Sequence, residues 1–440
     1  MKNKKETLLI LTILITICII IFNRDKLYEA KYIEPKDTLL AITINGEIST
    51  TFPTTNAYIG TVECTTGTGK VEWNGTKWVL TTSGITKGST KCNAKFQKKR
   101  TFSETILANN SVEEPYSQPG VEASLSDEAI LAYTEDDYGT SYYFRGAVKN
   151  NYVQFANKCW RIVRIVGNNS VKLILHNNNS SNSTNPCSSS NNSDTAAATL
   201  YSSFSETYND NAFIGFMYGT PESSNYASTH ANINKSTILK NLEVWYTSNL
   251  ASYADKLADV IWCNDKSTVT NTSFNPSDIG TIGTNYGVAK NINYYSPTGR
   301  FLKSDGSAGG TGPSLICPND NNGGKLSKFT VSDTMYGNGN LTYKIGLLTA
   351  DEALFAGYSS GSNNNNDMVY LQENSKMSWL TLSPLGFNGT FGGVWVVDGY
   401  SGDLGSVALD NERTFRPSIA LISSTIVTGS GTSEDPYIVK

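Results

Sequence analysis

Residues 344–358, KIGLLTADEALFAGY, decide the fold class. An apolar run from Ile345 to Leu348 reads as a strand leading into a short helix whose start and stop are both written in the sequence. Thr349 is the N-cap, Glu352 falls three residues on and completes a capping box, and Gly357 supplies the C-terminal stop. Asp351 and Glu352 suit that first turn because a helix N-terminus favours acidic side chains. A helix set among strands predicts a mixed α+β class.

Strands continue on both sides of this stretch. Downstream come SWLTLSP (378–384), GGVWVVDGYSGDLGSVAL (392–409) and FRPSIALIS (415–423), and residues 426–440 add a turn and a short strand. Upstream, SYYFRGAV (141–148), NYVQFA (151–156), CWRIVRIV (159–166) and VKLILH (171–176) form a meander of β-branched and aromatic residues. In 159–166, Trp160, Ile162, Arg164 and Val166 share one face and Arg161, Val163 and Ile165 the other, so the arginines are expected to edge a largely buried strand. SLSDEAILAY (124–133) reads as a short helical turn with Ser126 as its N-cap. A longer helix is expected over 234–254, where Ile238, Leu242 and Trp245 recur at helical spacing beside Leu239, Tyr246 and Leu250. The Asn- and Ser-rich run 177–194 is a polar surface excursion, and Lys266 to about Asn340 is a loop-rich insertion.

Nearer the N-terminus, short Thr, Val and Ile runs separated by Gly and Asn turns predict a small all-β domain, with Trp73 and Trp78 flanking an Asn74-Gly75 hairpin signal. The expected organisation is a cytoplasmic stub and anchor (1–30), the small β domain (31–108), a polar linker (109–125), the α+β domain (126–425) and the closing strand (426–440). Leu8 to Phe22 is uninterrupted by charge and is followed by Asn23-Arg24-Asp25-Lys26. It reads as a single transmembrane signal anchor, its rival being a cleaved signal whose only candidate site, Tyr28-Glu29-Ala30, is too bulky. Lys2, Lys4 and Lys5 favour a cytoplasmic N-terminus and an extracellular remainder.

Of the seven cysteines Cys18 lies in the anchor, leaving six for an oxidising compartment to pair. Proximity favours Cys64 with Cys92, Cys159 with Cys187 and Cys263 with Cys317, among the fifteen pairings that six cysteines allow. The formal net charge is −4 and the only basic cluster beyond the anchor is Lys98-Lys99-Arg100, a solvated strand end. Nucleic acid is therefore not an expected partner.

The series LLTADEALFAG, SWLTLSP, GGVWVVDGYSGDL and FRPSIALI resembles the C-terminal module of bacterial surface proteins built on a C-type-lectin-like fold. SYYFRGAVKNNYVQFANKCWRIVRI and GTSEDPYIV look like segments of the same proteins, so the resemblance spans most of 140–440. It is also faintly similar to the formylglycine-generating enzymes, whose strand-helix motif Leu-x-Thr-x-x-Glu is matched loosely by Leu348, Thr349 and Glu352. The resemblance implies a C-type-lectin-like mixed scaffold displaying a recognition surface. Formylglycine chemistry would need late reactive cysteines, and none follows Cys317.

Catalytic sets are sparse. His176 and His230 are the only histidines and neither sits in a motif, which leaves no triad, no zinc site and no expected metal or cofactor. GSAGGTGP (306–313) lacks the Lys-Ser/Thr of a phosphate loop. Asp136 with Asp137 reads as a solvated turn. A binding surface is expected at Phe387, Trp395, Asp398, Tyr400 and Asp403, where aromatics meet polar loops, Trp379 and Trp395 having core as their plainer role. Asp398 and Asp403 also carry oxygens suited to calcium. The functional expectation is thus a non-enzymatic, membrane-anchored adhesion protein for a glycan or surface protein. Its rivals are an envelope glycan hydrolase with paired carboxylates and a structural envelope component.

Overall fold

Along Tyr58–Cys64 half-buried and exposed residues alternate strictly, and Lys91–Lys98 opposite buries Cys92, Ala94 and Phe96 on one face. One face of this sheet is therefore committed to a core. The computed structural model describes residues 32–33 and 39–439 apart from 124–127, 192, 194–195, 198, 224–225, 270–291, 304–305, 321–325 and 360–368. The apolar segment 8–22 and Ser126 lie outside the described residues, among which no helix is long and apolar enough to cross a membrane. The protein is mixed α+β, with most of its regular structure in strands spread over several sheets and few helices.

The chain divides into two compact units, Met1–Arg100 and Thr101–Lys440. In the first, Lys91–Lys98 lies parallel to Leu39–Ile44 and antiparallel to Tyr58–Cys64, with Cys64 directly opposite Cys92 in register. The hairpin Thr68–Trp73/Trp78–Ser83 turns through 74–77 and packs on that sheet. Its approach needs glycine, because a Cβ on Gly60 would meet a Val71 methyl at 2.5 Å and one on Gly69 a Val62 methyl at 2.4 Å. Trp78 fills the gap edge-on to Phe96 at 5.1 Å.

In the second unit Lys158–Ile165 is buried at every position, flanked by Tyr152–Phe155 and Val171–Asn177 in an eight-stranded sheet. Ser418–Leu421 pairs with Val171–Asn177, and Tyr437–Val439 runs parallel to Tyr152–Phe155. A six-stranded sheet is built around Trp379–Asn388, Gly392–Val397 and Leu404–Ala408. Helix Thr237–Asn249, capped by Ser236, buries Ile238, Leu239, Leu242, Trp245 and Tyr246, and Trp245 meets Trp160 edge-on at 6.2 Å.

Four sequence expectations change. The stretch read as a helical turn holds strand Ala129–Asp136, because its backbone pairs along the whole of Gly139–Gly146. The larger unit begins before the expected linker, since helix Phe102–Asn109 sinks Phe102 and Ile106 into its core. The apolar run before Thr349 is only a two-bond bridge between Gly346 and Ser418, where a Cβ on residue 346 would strike the Trp262 ring at 2.4 Å. Arg161 and Arg164 do not edge their strand; both are buried within it.

Three disulfides join Cys64–Cys92, Cys159–Cys187 and Cys263–Cys317. They are the chemistry of an oxidising compartment, extracellular or periplasmic. The first crosses a strand pair of the small unit; the second pins the Asn-rich excursion.

Candidate functional site: a cleft over a buried ion network

Helix Ala350–Ala356 opens with the capping box: Glu352 N donates to Thr349 Oγ1 at 3.0 Å and Thr349 N to Glu352 Oε2 at 3.0 Å. This local device leaves the other carboxylate oxygen free to face the sheet. Glu352 Oε1 accepts from Arg164 Nε at 3.0 Å and from Lys172 Nζ at 2.6 Å, two cations delivered by neighbouring strands. Arg164 also donates through Nη1 to Asp136 Oδ2 and to Ser141 Oγ at 3.1 Å. The Lys172 ammonium lies 4.5 Å from the centroid of the Trp262 ring, a cation-π contact.

A second branch starts one residue earlier. Asp351 takes a two-pronged contact from Arg300, Nε at 2.7 Å and Nη2 at 3.0 Å, and its Oδ1 also accepts from Ser314 N. Arg300 Nη1 continues to Asp265 Oδ2 at 2.6 Å. Asp137, on the other wall, holds Lys328 Nζ at 2.8 Å and accepts from Cys317 N at 2.8 Å. Asp136 and Asp137 are therefore not solvated: Asp136 ends strand Ala129–Asp136, Asp137 opens the turn after it, and both carboxylates are held by cations.

Above these groups opens a small, partly open cleft with a volume of about 20 Å3, lined by Asp136, Asp137, Tyr138, Arg164, Lys172, Arg300, Asp351, Glu352 and the Cys263–Cys317 bridge. Tyr138 of the lining meets Tyr336 with rings tilted and centroids 4.7 Å apart; exposed Met335 precedes Tyr336 in the chain and exposed Ile316 lies between the lining residues Leu315 and Cys317. The lining is mostly ionic.

Electrostatics decide what the floor can do. Five carboxylates (Asp136, Asp137, Asp265, Asp351, Glu352) meet four cations (Arg164, Lys172, Arg300, Lys328), a surplus of one negative charge. Burial alone would raise the Glu352 carboxyl, yet Lys172 and Arg164 hold it below the usual carboxylate range. Burial lowers the Lys172 ammonium to about 8 against the pull of Glu352. Both partners of this pair move down, and the capping N–H and Arg164 explain why: Glu352 keeps its charge even where Lys172 gives up a proton. Burial opposes the charge of Arg164, and Glu352 and Asp136 more than restore it.

A general acid for glycan hydrolysis needs a carboxyl pushed up, and Glu352 is pushed the other way. Asp320 is raised by burial to about 6, with Lys266 pulling it down, but it is not in the cleft wall. His176 and His230 are buried and held well below the ordinary imidazole range, His176 beside Asn374 and His230 beside Tyr295. Among the described residues no group of three or more His, Cys, Asp or Glu is placed to hold a metal ion.

The surface expected around 387–403 comes apart. Phe387 is fully buried and Trp395 is 4 % exposed, packed edge-on to Phe301 at 5.2 Å, so neither offers a ring to a ligand. Their strands are covered on both faces, which removes the alternation that would have exposed them. Trp379 is core as well. Asp398 accepts from Tyr400 N and Ser401 N and its own N–H reaches Asp403 O, so the two aspartates close a turn. Tyr400 alone projects, 65 % exposed.

Sequence reasoning missed the ion network. The available signal was charge inside apolar strands, Arg164 in CWRIVRIV and Lys172 in VKLILH. No protein-family model, no curated protein and no solved structure matches this chain.

Proposed function

We propose that this is an exported, membrane-anchored surface protein whose larger unit is a lectin-like binding module, taking a glycan or a surface protein at the cleft. The observation that carries the reading is the pairing of charge. Carboxylates that could do acid-base work are bound by cations and backbone N–H groups, while Tyr336, in ring contact with Tyr138 of the lining, and the neighbouring Met335 stand exposed. Such a floor shapes and stiffens a surface, and exposed aromatics supply stacking area for a sugar face or a protein side chain. The anchor at 8–22 and the extracellular side rest on the N-terminal residues and on the disulfides.

Arrays of envelope and host-type glycans and of surface proteins, probed with the full chain, test the reading. A binder should lose about tenfold in affinity, ~1.4 kcal/mol, in Tyr336→Ala and be unchanged in Tyr400→Ala. Absence of any binder, or loss confined to Tyr400→Ala, refutes the cleft. A hydrolase reading keeps one favourable observation, four carboxylates lining one cleft. Release of sugar from wall glycan, abolished by Glu352→Gln, would replace binding by catalysis.

A further inference from the structure

The motif FRPSIALI carries a second buried cation that the cleft does not use. Arg416 is 1 % exposed; its Nε donates to Leu175 O at 3.0 Å and its Nη1 to Leu371 O at 2.6 Å. Carbonyls satisfy N–H groups but do not neutralise a charge, and none of the ion pairs among the described residues includes Arg416. Its charged neighbour is another cation, Arg161, whose own guanidinium is matched by Glu373 at 2.6 Å. Burial and that neighbour lower Arg416 to about 10, far below an ordinary guanidinium, with Tyr358 and Tyr370 acting in the opposite direction.

The polar atoms around Arg416 are unmatched in the same sense. Arg416 Nη2, Tyr358 OH, Tyr370 OH and Trp379 Nε1 are all buried with no hydrogen-bond partner in the protein. The guanidinium lies 5.4 Å from the centroid of the Trp379 ring and bonds the carbonyl of Leu371, next to Tyr370, and its charge reaches both phenols. Burial raises both phenols, so they stay protonated and able to donate. Nη2 and Nε1 are donors only. Buried polar groups are almost always satisfied and a buried charge is almost always matched, so an unmatched cation with an unpaired N–H of its own and three unpaired donors near it specifies the sign of what completes them. Water would answer the donors and leave the charge uncompensated.

We propose that Arg416, Tyr358, Tyr370 and Trp379 form an internal site for one small monovalent inorganic anion of the halide class. One uncompensated positive charge calls for one negative charge. The three aromatic rings are each no more than 2 % exposed, an enclosure that favours a small ion over a bulky oxyanion. The site joins the end of the capped helix, the strand Trp379–Asn388 and the segment leading into strand Ser418–Leu421, three of the segments that form the larger core. Its occupant is a structural ion, separate from whatever the cleft binds.

The full chain is compared in chloride and in gluconate at equal ionic strength, with bromide as the replacing ion. Chloride and bromide should each raise the melting temperature by roughly 2 °C or more over gluconate. Crystals grown in bromide should show an anomalous peak within hydrogen-bonding distance of Arg416 Nη2. Because Arg416→Met can collapse the core, Tyr370→Phe serves as the variant that keeps its ring, and it should shift the halide concentration for half-stabilisation upward about tenfold. Equal melting in halide and gluconate, an anomalous map with no peak there and only water refined, or an unchanged midpoint in Tyr370→Phe would each overturn the site.

Discussion

The two units solve the stability of an exported chain in opposite ways. The small β unit has a core of seven buried residues, Leu40, Ile42, Val71, Trp78, Cys92, Ala94 and Phe96, and its staple passes through that core: Cys92 is 1 % exposed and bonded to the residue facing it. Its ion pairs, Lys70–Glu72 and Lys95–Glu63, stay on the surface. The large unit buries a continuous core and sinks ion pairs beneath a cleft, while each of its disulfides ties a loop cysteine, Cys187 or Cys317, to a strand cysteine, Cys159 or Cys263. A domain too small for a sufficient core gains from covalent closure, whereas a large one can carry buried charge if each ion is matched.

If that contrast is right, the largest effect belongs to the buried network. Arg164→Met strands Asp136 and Glu352 without their guanidinium and should cost ~3–5 kcal/mol, read as the denaturation midpoint of the larger unit by hydrogen exchange. Acid probes the same contact. Glu352 is held below its usual range, so its contribution is fully present above the unfolded carboxyl pKa and is lost as pH falls through the lower folded value. A cost below ~1 kcal/mol would mean the network is solvated in solution and the contrast is false. Next comes the staple. Replacing Cys64 and Cys92 together by Ser removes a closure spanning a sequence separation of 28, worth ~3 kcal/mol on the chain-entropy account. Faster exchange should appear in 39–98, with Lys158–Ile165 keeping its protection; equal loosening of both would show that the units do not stand alone.

What could be read in advance divides along the same line. The capping box at Thr349 and Glu352, the Trp73/Trp78 hairpin and the helix after Ser236 are encoded within a few residues, and each is present. The cleft is not local: Arg300 meets Asp265 and Asp351 across 35 and 51 residues, and Arg164 meets Glu352 across 188. No spacing rule joins them. Ala129–Tyr133 contains good helix formers, yet a full antiparallel partner outweighs that weak preference. Phe387 and Trp395 sit beside polar loops in sequence but in strands buried on both faces, so proximity to Gly and Asn misled where only the packing could decide.

The smallest effect is the sharpest control on the comparison. Lys95 and Glu63 approach to 2.7 Å, as close as Lys172 and Glu352 at 2.6 Å, so distance alone ranks the two pairs together. Their surroundings differ: Lys95 and Glu63 side chains are 43 % and 71 % exposed, against 2 % and 3 % for the buried pair. Water already solvates the exposed ions in the folded and unfolded states, and holding two long side chains in one geometry costs entropy. Lys95→Ala should therefore change the small unit by less than ~0.5 kcal/mol, with no further change on raising the salt. A loss comparable to Arg164→Met would show that the small unit also relies on its ions, and the staple would then no longer explain its stability.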